Sequence, residues 1–296
     1  MEVYVHIGIH KTGSTLFQKR IFNKLEGIYY VPRDESLAFK KYILYTDDFE
    51  FDVEKAREIF NEIPKVDKQK KVLISDEELY GNPYWATIDR KRNIDRLINI
   101  FAPNIKIIVF IRNQNTLLNS LYNQYIKTGG TANLNSFLSY KKYPHCVNIE
   151  YFCFDKYLTY IITSIERQNI KIILFEEFKK NSRKTILDII DFLKIPEPTI
   201  TENDLLTTNE SINNTLLPFL RFTNKFTKSV KNPFSFLNLK VHLSLRALTY
   251  KLSKIFPKDK KKPIFSMDDI NHIKQSNKNL SEILNTDLSK YNYPLN

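Results

Sequence analysis

The chain has 296 residues, 42% of them hydrophobic, and its 45 Lys and Arg outnumber 33 Asp and Glu to give a formal net charge of +12. That is ample apolar material for one large domain, or one domain with an appendage, while no run approaches the roughly 18 apolar residues of a membrane-spanning helix. Two cysteines, Cys146 and Cys153, exclude a disulfide framework, and with His145 they offer too few ligands for a structural zinc site.

The first residues form a strand. Val3, Val5 and Ile7 alternate with other residues up to Gly8. A short loop follows with His10, Lys11, Thr12, Gly13, Ser14 and Thr15. Leu16, Ile21 and Leu25 then mark a helix over 14–25. Further along, the pattern predicts a short strand at 28–31, a helix at 52–62, a strand at 71–75 and a helix at 87–101. An apolar strand at 105–111 leads into a helix at 116–127, whose N-cap is expected at Asn115 or Thr116. Lys127-Thr-Gly-Gly130 marks a loop. A helical stretch at 149–167, a strand at 171–175 and a helix at 182–193 complete the alternation. The last helix, 267–289, opens on Ser266 and Asp269 at capping-box spacing. Strands alternating with helices imply parallel βαβ units, hence an α/β fold with a central, mainly parallel sheet flanked by helices. No internal repeat is present.

Three strand ends carry candidate chemistry. At the first, backbone N–H groups at the start of a helix lack intrahelical partners and the helix dipole favours an anion. Lys11 adds a full charge, and Ser14 and Thr15 add hydroxyls. This loop is expected to hold a phosphate or a sulfate ester. It is not a Walker A loop, because Lys11 precedes the second glycine, Gly13, instead of following it. At the second, the strand ending at Ile111 delivers Arg112, with Ser120 eight positions on. Arginine suits a phosphate because its planar fork donates two parallel hydrogen bonds. At the third, the strand ending in Ser75 runs into Asp76, Glu77 and Glu78. A hydroxyl is a poor nucleophile until a positioned carboxylate or imidazole takes its proton. Glu77 is the candidate base and His10 its competitor.

In this order the three segments resemble PAPS-dependent sulfotransferases (PAPS is 3′-phosphoadenosine 5′-phosphosulfate). Lys11-Thr12-Gly13-Ser14-Thr15 after a strand ending in Gly is similar to the 5′-phosphosulfate loop of the bacterial and Golgi-type carbohydrate branch. Arg112 and Ser120 resemble the 3′-phosphate motif. Ile74-Ser75-Asp76-Glu77 resembles an Ile-Ser-Ser-Glu segment whose Glu is the general base, with Asp76 as a departure. Leu174-Phe-Glu-Glu-Phe178 and Asn209-Glu210-Ser211 are also similar to family segments. The late Arg-Lys-Gly segment of the branch acting on phenols and steroids is missing.

The resemblance implies a three-layer, P-loop-like fold. Its PAPS-binding core covers 1–215, and 216–296 form basic and C-terminal helices packed on the same domain. It implies metal-free, in-line transfer of a sulfuryl group from PAPS to a hydroxyl of a glycan, leaving PAP. Lys11 and Glu77 or His10 carry the chemistry, and Lys11, Thr12, Gly13, Ser14, Thr15, Arg112 and Ser120 bind the nucleotide. Tyr80, Trp85, Gln124 and Tyr125, with Tyr84 and Lys127, are candidates to line the acceptor site, since sugar rings stack on aromatic faces. A cytoplasmic location is expected, because the chain opens on a strand without a leader pattern and PAPS is made there. The abundance of Asn, Ile and Lys suggests a bacterial source.

Charge is uneven. Residues 221–262 hold twelve Lys or Arg and one acid, Asp259. Val241, Leu245, Leu248, Leu252 and Ile255 recur there at helical steps, as in a basic amphipathic helix. It is expected to pack on the core with a solvated basic face, to meet an anionic membrane surface, or to attract an acidic glycan. No helix-turn-helix, zinc finger or RNA-binding aromatic pattern points to nucleic acid. Two rival readings remain. A P-loop kinase or NTPase would need Mg²⁺ and a differently ordered loop. A noncatalytic, membrane-peripheral glycan-binding protein would keep only a degenerate nucleotide site.

Overall fold

The computed structural model describes residues 1–85, 89–139, 147–205, 214–233, 235 and 265–295. Five strands form one parallel sheet: β1 (Glu2–Gly8), β2 (Tyr29–Tyr30), β3 (Lys71–Ser75), β4 (Ile105–Ile111) and β5 (Ile170–Leu174). Their order is β2-β3-β1-β4-β5. In β1, Val3, Val5 and Ile7 enter one apolar cluster while Tyr4 enters the other. In β4, Ile105, Ile107, Val109 and Ile111 face the first cluster, and Ile108 and Phe110 the second. Side chains alternate across a strand, so a sheet covered on both faces needs near-continuous apolar runs.

The helices supply the two covers. On one face lie α2 (Leu37–Tyr45), α3 (Val53–Asn61), α4 (Arg90–Phe101), α5 (Gln114–Lys127) and α7 (Phe154–Ser164). A short α6 (Leu134–Phe137) sits between the last two in sequence. On the other face, the helix after β1 packs with α8 (Phe175–Lys180) and α9 (Ser182–Leu193). That first helix is composite. An α-helical turn, α1 (Ser14–Leu16), passes into a π-helical segment over Phe17–Ile21 and a 3-10 turn over Phe22–Lys24. A short α10 (Glu202–Leu205) follows α9.

Two expectations are corrected. The helix after β4 starts earlier than its pattern suggests, because Asn113 is the N-cap. Its Oδ1 accepts from the Thr116 N–H at 3.2 Å. The helix α2 had no clear signal in the sequence. Its apolar face is narrow: Phe39, Ile43 and Leu44 are buried and Tyr42 packs beside them. The final helix, α12 (Met267–Leu284), opens on the expected cap, with Ser266 Oγ accepting from the Asp269 N–H. It ends sooner than 289 because Asn285 adopts a left-handed C-cap. The basic helix expected at 241–255 lies outside the described residues, as do His145, Cys146 and Asn209-Glu210-Ser211. No helix among the described residues is long and apolar enough to cross a membrane.

Late segments return to the core through buried amides. Helix α11 (Leu217–Asn224) ends at Asn224, whose Nδ2 donates to the carbonyls of Ile126 and Gly130, both at 2.8 Å. On α12, Asn277 pairs with Gln114 at the start of α5. Gln114 Nε2 donates to Asn277 Oδ1 at 2.6 Å, and Asn277 Nδ2 donates to the Pro294 carbonyl at 2.8 Å. Both side chains are fully buried. A buried amide left without its partner costs about 1–3 kcal/mol. Asn277→Ala is therefore expected to lower the unfolding free energy by about 2 kcal/mol, read from urea titration. An unchanged midpoint would show that α12 docks by apolar contact alone.

Candidate active site

The register of the sheet places three strand ends side by side. His6 of β1 lies opposite Ser75 of β3, and Gly8 lies opposite Phe110 of β4. The loop after β1 is thus flanked by Asp76-Glu77 on one side and Arg112 on the other. Ligands of open α/β sheets sit outside such carboxyl ends, where the strand order reverses.

The loop is shaped by two glycines. A Cβ on Gly8 would stand 2.3 Å from Ser14 Oγ and 3.2 Å from Thr12 Oγ1, so only glycine lets the loop fold back on the strand end. Gly13 has φ +90° and caps the first helical turn. Lys11 also takes a left-handed backbone, at φ 71°, where a side chain is strained. Thr12 Oγ1 donates to the Ile9 carbonyl at 2.6 Å and so braces the loop. Ser14 Oγ is buried with no hydrogen-bond partner among the described residues. The N–H groups of Lys11, Gly13, Ser14 and Thr15 likewise meet no acceptor among the described residues. Orphan donors of this kind at a helix start suit an oxyanion. Thr15 is exposed at its edge.

Arg112 closes the loop from the other side. Its Nη1 donates to the Lys11 carbonyl at 2.6 Å, its Nε donates to Thr116 Oγ1 at 3.0 Å, and the guanidinium lies 4.8 Å from the centre of the Phe175 ring. Phe175 is also the nearest side chain to Gly13. Ser120 sits half-buried on α5, about two turns beyond its cap. The Lys11 ammonium is pushed below its ordinary value by partial desolvation and then by Lys127, with Arg112 adding to the effect and Glu77 opposing it. Lys11, Lys127, Arg112 and Glu77 therefore share one electrostatic neighbourhood.

The acidic segment divides its labour. Asp76 is buried between Arg33, at 2.9 Å, and Lys40, at 3.1 Å, and caps the 3-10 turn Glu77–Tyr80 by accepting from the Glu78 N–H. Glu78 pairs with the same Lys40 at 3.1 Å. Glu77 alone turns back toward the loop. Its Oε1 lies 3.5 Å from Arg33 Nη1, and its Oε2 accepts from Gln18 Nε2 at 3.4 Å. His10 Nε2 is buried and unpartnered among the described residues. Burial pushes that imidazole below its ordinary 6.5, although Glu77, Glu78 and Asp76 pull upward.

Two candidates for the acceptor wall belong to the core instead. Tyr80 is 0% exposed, its ring packed edge-on against Tyr151 and Tyr157 and its hydroxyl accepting from Arg90 Nη1 at 3.0 Å. Tyr125 is 4% exposed, and its hydroxyl accepts the N–H groups of Thr131 and Ala132, bracing the loop after α5. Aromatic spacing alone does not separate a wall from a core. Gln124 is half-buried with Oε1 unpartnered among the described residues, and Lys231 Nζ stands 3.2 Å over the Tyr84 ring. Trp85 ends a 3-10 turn, Pro83–Trp85, and its side chain lies outside the described residues.

Several site residues escaped the sequence: Gln18, Arg33, Lys40 and His6, while Ser75 and Phe175 stood out only as parts of segments. A polar residue inside an apolar run was the available signal for His6 and Gln18. His6 Nδ1 lies 2.7 Å from Ser75 Oγ, and its ring sits 5.2–5.9 Å from those of Phe17, Phe22 and Phe110. Burial there holds the imidazole down to about 3, against 6.5 ordinarily. Below pH 6.5 the unfolded chain takes up a proton that the folded chain refuses. The contribution of His6 to stability is therefore complete above 6.5 and is lost as the pH falls toward about 3. Between pH 7 and pH 5 the wild type should lose about 2 kcal/mol more than His6→Phe, measured by urea unfolding at each pH. Parallel losses in the two proteins would contradict a neutral buried His6.

A family model described as sulfotransferase domain matches residues 5–217. None of the curated proteins matches the sequence. Among solved structures, a sulfotransferase from Alicyclobacillus acidocaldarius is 17% identical over 69% of this chain and 88% of its own, with a TM-score of 0.48. A mouse sulfotransferase complexed with PAP is 14% identical over 95% of this chain and 83% of its own, with a TM-score of 0.40. The sulfotransferase domain of the Synechococcus PCC 7002 olefin synthase is 12% identical over 86% and 94%, with a TM-score of 0.44. Likenesses this distant are similarities of chain path and say nothing of substrate.

Proposed function

The chain belongs to the sulfotransferase family, and from that premise we propose that it moves a sulfuryl group from PAPS to a hydroxyl of a carbohydrate acceptor, without a metal. The observation that carries this reading is the Arg112–Lys11 hydrogen bond at 2.6 Å, which joins the two anion-binding segments at one edge of the sheet. A nucleotide with anions on both sides of its ribose needs such a pair of cationic groups close together. Ser14 Oγ and the unused N–H groups of the loop fit the 5′ anion, and the clearance above Gly8 leaves room for them to converge. Arg112 and Ser120 are assigned to the 3′-phosphate. What supports the carbohydrate class is the Lys-Thr-Gly-Ser-Thr form of the loop and the acidic segment ending in Glu77.

PAPS, when bound, supplies a sulfuryl group on an anhydride whose departing phosphate gains negative charge. Lys11 and the loop N–H groups stabilise that charge, the electrostatic contribution that usually dominates such transfers. Thr12 and Gly13 hold the loop in shape, and Thr15 stands at its mouth. Glu77 accepts the proton of the attacking hydroxyl. It is favoured over His10 because its carboxylate is partly open and oriented by two donors, whereas His10 Nε2 is buried. The basic stretch 221–262 supports work at an anionic surface, a lipid-linked glycan being one such place.

Thermal shift with PAP, ADP and ATP·Mg²⁺ tests the assignment. At a hundredfold excess over its dissociation constant, PAP should stabilise the protein by about 2.7 kcal/mol. A larger shift with ATP·Mg²⁺ would overturn the reading in favour of a kinase or NTPase. In the same assay Arg112→Ala should weaken PAP by about 10- to 100-fold and ADP by less, since both lose the anchor of the loop but only PAP also loses a partner for its 3′-phosphate. Lys11→Ala should cut turnover of PAPS by about 10²–10³, as loss of a single electrostatic donor does elsewhere. Turnover close to wild type in Lys11→Ala would remove Lys11 from the chemistry.

A further inference from the structure

We propose that Gln18 is the positioning residue of the base: its carboxamide, anchored on Ser75, fixes the orientation of the Glu77 carboxylate. The inference rests on the reading of Glu77 as base. Gln18 lies on the π-helical segment directly after the anion loop and is 7% exposed. Its Nε2 donates to the Ser75 carbonyl at 3.2 Å, to Ser75 Oγ at 3.1 Å and to Glu77 Oε2 at 3.4 Å. A peptide carbonyl can only accept. The NH₂ end must therefore face Ser75, and the same end then faces Glu77. A flipped amide would set its oxygen against the Ser75 carbonyl and the carboxylate at once.

The anchor is itself held. With Gln18 donating to Ser75 Oγ, the serine proton goes to His6 Nδ1, 2.7 Å away, and the imidazole keeps its own proton on Nε2. His6 Nε2 then faces the space above Gly8, beside Ser14 Oγ. A single polar chain, His6–Ser75–Gln18–Glu77, thus runs under the anion loop to the base. Buried networks of this kind fix geometry, and the only end of this one without a partner among the described residues is His6 Nε2, away from the base. The chemistry of the donor matters too. Arg33 already stands 3.5 Å from Oε1. A cation on Oε2 would compete with the acceptor proton for that oxygen. A neutral amide orients the oxygen at less cost in basicity. The other charged or titratable groups facing Glu77 are His10 and Lys11 from the loop, Tyr30 from β2, and Asp76 and Glu78 on its own turn.

Two measurements on the full chain test this. In ¹H–¹⁵N spectra the side-chain amide pair lost in Gln18→Ala belongs to Gln18. It should move with pH as the neighbouring carboxylate ionises, and the movement should vanish in Glu77→Gln. A pair that ignores pH, or moves equally in Glu77→Gln, overturns the proposal, and no acceptor is needed to see it. The second measurement is PAP formation from PAPS, with chito-oligosaccharides as acceptor or water where no sugar is taken. Gln18→Ala should lower the rate at saturating PAPS about ten- to a hundredfold while PAP affinity and its thermal shift are kept. Gln18→Glu should move the acid limb of the rate profile up by about one pH unit, because it sets a second carboxylate against the first. A structural role alone would not move that limb. Wild-type rate and profile in the Gln18 variants, with Glu77→Gln inactive, overturn the inference and leave the base reading standing. Full activity in Glu77→Gln overturns the base reading and the inference with it.

Discussion

The hydrogen bond from Arg112 Nη1 to the Lys11 carbonyl ties the end of β4 to the loop after β1, and the site depends on it. It works because the sheet is parallel. Parallel strands bring their carboxyl ends to one edge, and the central place of β1 puts its loop between β3 and β4. Each of the three ends delivers a different chemical type: a carboxylate, an array of N–H donors with an ammonium, and a guanidinium. The geometry of a two-anion ligand is thus written in backbone register before any side chain is placed.

Gathering positive charge has a cost that the surroundings offset. Lys127 and Arg112 push on Lys11, and the Lys11 backbone sits in a conformation disfavoured for a side chain. The Arg112 bond holds that strained residue from its carbonyl side. Glu77 supplies opposite charge nearby. An anion arriving at the loop would relieve the repulsion among the cations, so binding and loop order are coupled. Proteins commonly keep such strain at sites that act on ligands.

The buried polar groups on the other side of the loop play the opposite part. Asp76 is neutralised by Arg33 and Lys40, which leaves Glu77 as the acid of the segment that turns toward the loop. The chain end contributes from farther away. Tyr293 donates to Glu176 Oε2, whose partner oxygen accepts the Asn113 N–H directly beside Arg112. Residues of the last helix and tail, more than 160 positions downstream, therefore brace the start of α5.

The strands and their order of appearance were legible from the sequence, since a sheet covered on both faces requires unbroken apolar runs and Gly8, Arg112 and Glu77 stand where those runs stop. The loop was legible for the same local reason: an ammonium, a glycine and hydroxyls at a helix start can be read within five residues. The early start of α5 was not, because an Asn113 cap depends on side-chain rotation. Nor could periodicity tell that Tyr80 and Tyr125 are core while Glu77 faces the loop, for neighbouring residues in a turn are sorted by what packs above them. The chain by itself determined which chemical groups exist and at which strand ends they emerge. Only the tertiary structure decided which of them meet, since Gln18, Ser75, His6 and Glu77 come from four separate elements, and contact between distant segments is set by sheet register and layer packing, not by spacing along the chain.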